Sequence, residues 1–277
     1  MAIVTGAVTT SHIPSIGSAI MKNRQDEPYW KPFFDGFPPV HDWLRETKPD
    51  VAVVFYNDHG LNFFLDKMPT FAVGAAPEYR NADEGWGIPT LPPFRGDVDL
   101  SWHLIESLVE RNFDITTCQE MLVDHAFTLP LKLLWPTEGP CPVRTVPICI
   151  NTVQHPMPSA RRCYDLGRAV GDAIRSWESG ARVVVIGTGG LSHQLDGARA
   201  GFINKDFDRR FMESLSADPE WATHYSIPEL VELTGTQGVE LVMWLAARGA
   251  LAGHVNRIHS NYHIPISNTA SGLMVMA

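Results

Sequence analysis

Three histidines each stand a few residues beyond a run rich in apolar and β-branched side chains. Ile3-Val4-Thr5-Gly6-Ala7-Val8 leads through Thr-Thr-Ser to His12. Val51-Ala52-Val53-Val54-Phe55-Tyr56 breaks into Asn57-Asp58-His59-Gly60, and Arg182-Val183-Val184-Val185-Ile186 into Gly187-Thr188-Gly189-Gly190-Leu191-Ser192-His193. Short runs of this kind read as strands buried on both faces of a parallel sheet. Ligands of open α/β sheets bind beyond the carboxyl ends of the strands. Three such ends, each delivering a histidine, suggest one shared site.

A carboxylate completes the set. Glu240 lies in Val239-Glu240-Leu241-Val242-Met243-Trp244-Leu245-Ala246-Ala247, read as a helix apolar on almost every face. An unpaired buried charge is costly or shifts its pKa, so Glu240 needs a partner. The plain alternative is a first-turn glutamate favoured by the helix dipole, worth ~0.3–1 kcal/mol. The capping-box spacing fails, because Thr236 stands four residues back rather than three. His12, His59 and Glu240 form the two-imidazole, one-carboxylate set of non-haem Fe(II) oxygenases. The same atoms suit a catalytic zinc with a water in its fourth position. Eleven histidines make a chance trio easy, so ligand type alone is a weak signal. His41, His103, His155, His224, His254 and His259 read as helix-surface or loop residues, and His263, just before Ile264-Pro265, as structural.

Several other chemistries are excluded. Gly187-Thr-Gly-Gly invites a dinucleotide reading, but Ser192 replaces the last glycine of that fingerprint and His193 would crowd a pyrophosphate. GxSxG and P-loop signatures are absent. A net charge of −9, with no basic cluster larger than Arg161-Arg162 and Arg209-Arg210, argues against a nucleic-acid partner. The four cysteines have no CxxC spacing, so neither a disulfide framework nor a thiolate zinc site is expected. The first residues read as a strand rather than a leader, and no apolar run is long enough to span a bilayer. A soluble cytoplasmic protein is the expectation.

The surrounding elements follow from periodicity and punctuation. Ile13-Pro14-Ser15-Ile16-Gly17 is read as barring an immediate helix and keeping His12 on a loop. Helices are expected over 40–45, 99–110, 161–177, 207–215 and 238–248, and a hairpin arm over 64–73. On 99–110 the apolar side is read as Leu100, Leu104 and Leu108 with Trp102, Ile105 and Val109. Residues 114–117 read as a short strand and 124–127 as a polar break before 128–134. Residues 143–150 read as another buried strand, with Pro142 and Pro147 confining it towards its edges. The Pro- and Gly-rich stretch 83–97 reads as an ordered functional loop. Alternating strands and helices predict an α/β fold with a central, mostly parallel sheet flanked by helices and the metal site at the strand carboxyl ends. Without repeats or composition breaks, residues 1–277 are expected to form a single catalytic domain.

Several long strings in order resemble the class III extradiol ring-cleavage dioxygenases, in particular the catalytic β subunit of protocatechuate 4,5-dioxygenase and the related gallate dioxygenases. They are Ser11-His12-Ile13-Pro14, Tyr56-Asn57-Asp58-His59, Ala82-Asp83-Glu84-Gly85-Trp86-Gly87 and Gly187 to Gln194. Arg199-Ala200-Gly201, Glu240-Leu241-Val242-Met243-Trp244 and Pro265-Ile266-Ser267-Asn268-Thr269-Ala270 extend the resemblance over nearly the whole chain. It implies Fe(II) held by His12, His59 and Glu240, with His193 as acid/base and His125 as a second active-site histidine. It also implies a substrate side carrying Ser267, near the substrate's carboxylate, and Asn57. The implied reaction is extradiol cleavage of a catechol by O2 to a ring-opened semialdehyde. Protocatechuate, gallate, 3-O-methylgallate and 2-aminophenol all need the same iron and base, and a zinc hydrolase would use the same His/His/Glu atoms. Two departures stand out. Asp124-His125-Ala126 replaces the family's Asp-His-Gly, and the chain is too short for a fused helical lid. The resemblance is to a subunit that works with a separate small α-type lid subunit, so either that partner exists or the site is closed differently, and an oligomer is expected.

Overall fold

β-branched runs that alternate with amphipathic helices favour a sheet covered on both faces. The computed structural model of the chain describes residues 1–85, 90–264 and 268–277. β1 (Ile3–Thr10) is followed by α1 (Pro14–Met21), α2 (Lys31–Phe34) and α3 (Pro38–Thr47). β2 (Val51–Tyr56), β3 (Phe71–Gly74), β4 (Glu78–Asn81) and β5 (Phe94–Arg95) lead into α4 (Val98–Glu110). Next come β6 (Thr116–Cys118), β7 (Leu122–Val123), α5 (His125–Leu134), β8 (Arg144–Ile150), α6 (Ala160–Ser176) and β9 (Arg182–Thr188). α7 (Lys205–Ala217), α8 (Ile227–Thr234), a 3₁₀ turn (Gly238–Leu241), α9 (Val242–Gly249), β10 (Arg257–His263) and β11 (Ser271–Met276) complete the chain.

Eight strands form one sheet in the order β10-β11-β1-β9-β2-β8-β3-β6, and β5-β4-β7 form a small second one. The ladders β1–β9, β9–β2 and β2–β8 are parallel. β11 runs antiparallel to β1 and to β10, and β3 antiparallel to β8. The central strands alternate between two cores, as a period of two demands. Val53 and Phe55 of β2 and Val183 and Val185 of β9 face one, with Leu104 of α4, Val170 of α6 and Trp244 of α9. Val54, Val184 and Ile186 face the other, with Ile16 of α1, Val40 of α3 and Phe127 of α5. All these residues are fully buried, and each Val, Leu, Ile or Phe among them contributes about 1.5–3 kcal/mol.

Close packing of α6 on α9 depends on glycine. A Cβ at Gly167 would overlap the Ala246 carbonyl oxygen, and one at Gly171 that of Ala250. Gly167→Ala is expected to lower unfolding free energy by about 1–3 kcal/mol through overpacking. Thermal or denaturant melts check this, and a melt unchanged from wild type would mean that the two helices separate freely.

Several local expectations need correction. Pro14 does not bar a helix after Ile13 but begins α1, because a proline at the first helical position loses only an amide with no intrahelical partner. His12 still lies on the loop before it. Residues 71–74 join the main sheet as β3 rather than closing a hairpin arm, which shrinks to an isolated Phe64–Lys67 bridge. β8 lies inside the sheet despite Pro147, because its ladder with β3 ends at Ile148, one residue before the missing donor. On α4, Trp102 and Val109 face out, while Leu100, Leu104, Ile105 and Leu108 are buried. The expected break at 124–127 is the start of α5, with Asp124 as its cap. His259 and His263 belong to β10 and meet the carbonyls of Gly36 and Tyr29.

Candidate metal centre

β1, β9 and β2 lie side by side and parallel, so their carboxyl ends open on one edge, where His12, His193 and His59 emerge. Each is held by its own local device. Ser11 is tied to Gly272 of β11 by two hydrogen bonds, which fixes the loop of His12. The Asp58 carboxylate accepts from the amides of Gly60, Leu61, Asn62 and Phe63, folding the turn that presents His59. Gly189, at φ +147°, and Gly190 bring the loop of His193 against Glu240, so that the Gly190 amide donates to Glu240 Oε2 at 2.9 Å. A Cβ at Gly189 would press on the Glu240 backbone and one at Gly190 on the His193 ring, which accounts for the glycine run without a nucleotide.

Glu240 is at the centre. It sits in the 3₁₀ turn ahead of α9 rather than in an α-helix, and is 5% exposed. Its carboxylate lies 3.4 Å from His12 Nε2, 3.8 Å from His59 Nε2 and 3.9 Å from His193 Nε2. His125, at the start of α5, adds a fourth imidazole: its ring centroid is 4.3 Å from that of His59 and 5.4 Å from that of His12. One ring nitrogen each from His12, His59 and His125 lie within 4.8 Å of one another.

The outer nitrogens set the tautomers. Nδ1 of His59 meets Asp124 Oδ2 at 2.8 Å, that of His125 meets Glu84 Oε2 at 2.7 Å, and that of His193 meets the Leu191 carbonyl at 2.9 Å. Carboxylates and carbonyls only accept, so each Nδ1 carries a proton and, in a neutral ring, each Nε2 carries the lone pair. His12 Nδ1 is paired with the Thr188 hydroxyl at 3.2 Å. Imidazoles that donate outward and present Nε2 inward around a carboxylate have the chemistry of a metal-ligand set, including the outer partners that orient it. The residues present therefore fit a metal ion.

The buried carboxylates dominate the charge balance around the site. Burial opposes charge on His59, but Asp124 and Glu240 outweigh it and push its pKa up to about 10. Burial lowers His12 despite Glu240 beside it. Burial alone would raise the Glu240 carboxyl, yet His12 and then His59 and His193 hold it well below the ordinary range. Asp124 is lowered in the same way, its burial outweighed by His59. The site is closed on most sides: His12, His125, His193 and Asn57 are buried, whereas the His59 side chain is 31% exposed and marks the open side.

His12, His59, Glu240, His193 and His125 are thus together. Asn57 reaches Glu240 Oε1 through its amide Nδ2 at 3.2 Å, so here it orients the carboxylate. Ser267 lies outside the described residues. Ala126, where the resemblance leads one to expect glycine, is buried in the first turn of α5 at a position with no left-handed backbone, and its amide caps onto Asp124. Three orienting groups were not singled out from the sequence: Asp124, Glu84 and Thr188. The signals available were Asp124 directly before His125 and Glu84 in a motif string. Asp124→Asn is expected to weaken metal binding about 10–100-fold. A metal titration of the folded variant checks this, and unchanged affinity would leave Asp124 with only its capping role.

Comparison with known proteins then adds identity. Residues 6–272 match the family described as the catalytic LigB subunit of aromatic ring-opening dioxygenase. The chain belongs to the LigB family. It is 39% identical over 184 residues to a gallate dioxygenase of Pseudomonas putida, a match covering 66% of this chain and 54% of that protein. It is 34% identical over 186 residues to a 2,3-dihydroxyphenylpropionate/2,3-dihydroxicinnamic acid 1,2-dioxygenase of Photorhabdus laumondii, covering 67% and 55%. The chain thus spans about half the length of these curated relatives. The crystal structure of an uncharacterized protein from Escherichia coli K12 superposes with a TM-score of 0.57 at 15% identity over 98% of both chains, a likeness of fold. The LigB fold therefore brings Glu240 and four histidines to one edge of its sheet. Among the described residues no helix is long and apolar enough to cross a membrane.

Proposed function

We propose that this LigB member carries out Fe(II)-dependent extradiol cleavage of a carboxylated catechol such as protocatechuate. Both atoms of O2 would enter a ring-opened semialdehyde. The observation that carries the reading is the convergence of His12, His59 and His193 Nε2 on one buried carboxylate, in a family of aromatic ring-opening dioxygenases. His12, His59 and Glu240 would hold the iron. Bound there, ferrous iron supplies the one-electron chemistry by which O2 can react with an electron-rich ring.

The protein's own groups do the rest. His193 Nε2 carries a lone pair and takes a proton from a catechol hydroxyl, then returns it as the product forms; an imidazole suits both transfers near neutral pH. His125, clamped through its amide and Nδ1 by Glu84, keeps Nε2 towards the site and holds the diol by a hydrogen bond. Asn57 and the Gly190 amide keep Glu240 in place, and the buried walls keep water from the reacting ring. Substrate enters on the His59 side.

The gallate dioxygenase relative supports a second substrate, gallate, which differs by one hydroxyl and needs the same iron and base. The whole chain would act as one catalytic domain, in the cytoplasm and as an oligomer, with a small α-type subunit closing the open side. The test is oxygen uptake by anaerobically iron-loaded protein offered protocatechuate, gallate, 3-O-methylgallate and 2-aminophenol. Uptake with a yellow product on one member is expected. No uptake on any member, with or without an added lid subunit, and tight zinc in its place, would favour the hydrolase instead.

A further inference from the structure

One buried carboxylate lies beyond the centre and has no part in the mechanism above. Asp208, on α7, is 1% exposed. It accepts from the Ser192 amide at 2.9 Å, the Ser192 hydroxyl at 2.6 Å and the Tyr262 hydroxyl at 2.9 Å. All three donors are neutral, and no salt bridge to Asp208 is formed among the described residues. Burial pushes its carboxyl up, outweighing the hydrogen bonds from Ser192 and Tyr262 and the nearby His193. A carboxylate kept in such a place is an expensive way to join a helix to a loop, since buried charges are strongly penalised unless paired.

What it joins explains the choice. Ser192 directly precedes His193, and its hydroxyl, while donating to Asp208, accepts from the Asn204 amide at 2.9 Å. Asn204 caps α7 through Phe207. Both polar atoms of Ser192 outside its carbonyl are thereby committed to the start of α7. The Ser192 carbonyl accepts from Ala270, and the His193 amide donates to the Thr234 carbonyl. Tyr262, the third donor, is on β10, shortly before the segment that returns to pair Thr269 with His193. Asp208 therefore fastens the loop that carries His193, and does so jointly with the strand leading into the segment beside it. An asparagine of the same shape can offer only one acceptor atom, so it could not receive all three hydrogens.

We infer that Asp208 is a positioning residue for the ring-cleavage reaction, holding His193 Nε2 at its working place through Ser192 and Tyr262. The inference rests on the acid/base role proposed for His193. A displacement of about 1 Å at a reacting group can cost about 10²-fold in rate, and a loss approaching that is expected in kcat of Asp208→Asn. KM and iron content should stay as in wild type, because His12, His59 and Glu240 are untouched.

Ser192→Ala removes the hydroxyl's part of the link while leaving the carboxylate and the amide bond to it, and should lower kcat alone, by less than Asp208→Asn. The double variant should be no worse than the poorer single one, since both cut one chain of contacts. Tyr262→Phe, milder for the fold, gives a smaller loss of the same kind. Equal falls in kcat/KM and iron content, or additive losses in the double variant, would overturn the inference and leave Asp208 a scaffold residue. If wild type itself takes up no oxygen, the dioxygenase reading fails separately. Hydrogen exchange then judges the positioning: in Asp208→Asn, faster exchange confined to residues 190–194 upholds it, and unchanged exchange there overturns it.

Discussion

His193→Gln is expected to keep its iron and lose about 10²–10⁴-fold in kcat, the usual contribution of a positioned acid/base group. The ring donates through Nδ1 to the Leu191 carbonyl, leaving Nε2 as the only nitrogen that can take a proton, 3.9 Å from Glu240. Glutamine fills similar space and can still hydrogen bond, but it cannot exchange a proton near neutral pH. The loop itself should persist, because the His193 amide is held by Thr234 and Ser192 by Asp208, neither of which needs the imidazole. Iron per chain after anaerobic loading and steady-state oxygen uptake, measured together, decide the matter. Iron lost along with turnover would make His193 a ligand rather than the base.

Glu240→Ala is expected to have the larger effect on the metal. Replacing an outer partner of a ligand typically costs about 10–100-fold in metal affinity, and removing the central carboxylate should cost more than that and abolish turnover. It also strands the Gly190 amide, which now donates to the carboxylate at 2.9 Å, whereas Asn57 Nδ2 loses its 3.2 Å bond to Glu240 but keeps His59 Nε2 at 3.3 Å. Each buried donor left without an acceptor costs about 1–3 kcal/mol, so the melting temperature should fall too. Glu240→Gln keeps one acceptor oxygen and most of the packing, and separates the two effects. Calorimetric metal titration of both variants is the measurement. Full metal binding by Glu240→Ala would point to His12, His59 and His125, whose ring nitrogens also lie within 4.8 Å of one another, as the true ligand set.

Much of this arrangement was legible in the chain because the central elements carry strong local signals. Val51–Tyr56 and Arg182–Thr188 are so apolar and β-branched that only a doubly covered strand satisfies them, and each ends in a polar turn bearing a histidine. Glu240 stood out because a carboxylate among Val239, Leu241, Val242 and Met243 has no local partner. Weak signals misled. Pro14 reads as a breaker or as a helix start depending on whether the amide it lacks was needed, and Pro147 is tolerated inside the sheet only because β3 stops short of it. α5 was missed at its start because Asp124-His125 looks polar, although Asp124 is a cap and His125 turns inward.

By itself the sequence determined the kind of fold and the residue types at the strand ends, since burial pattern and turn chemistry are properties of neighbouring residues. Tertiary structure alone decided the partnerships. Nothing in the spacing says that Glu84 would clamp His125 from 41 residues away, that Asp124 would meet His59 across 65, or that Asp208 would hold Ser192. Those pairings arise because segments far apart in the chain are brought side by side: β4 pairs with β7 just before Glu84 and His125, and parallel β1, β9 and β2 place their loops on one edge. A hydrogen bond there depends on positions fixed to a fraction of an ångström by the packing of both cores. Local patterns carry no such information, and only the folded chain supplies it.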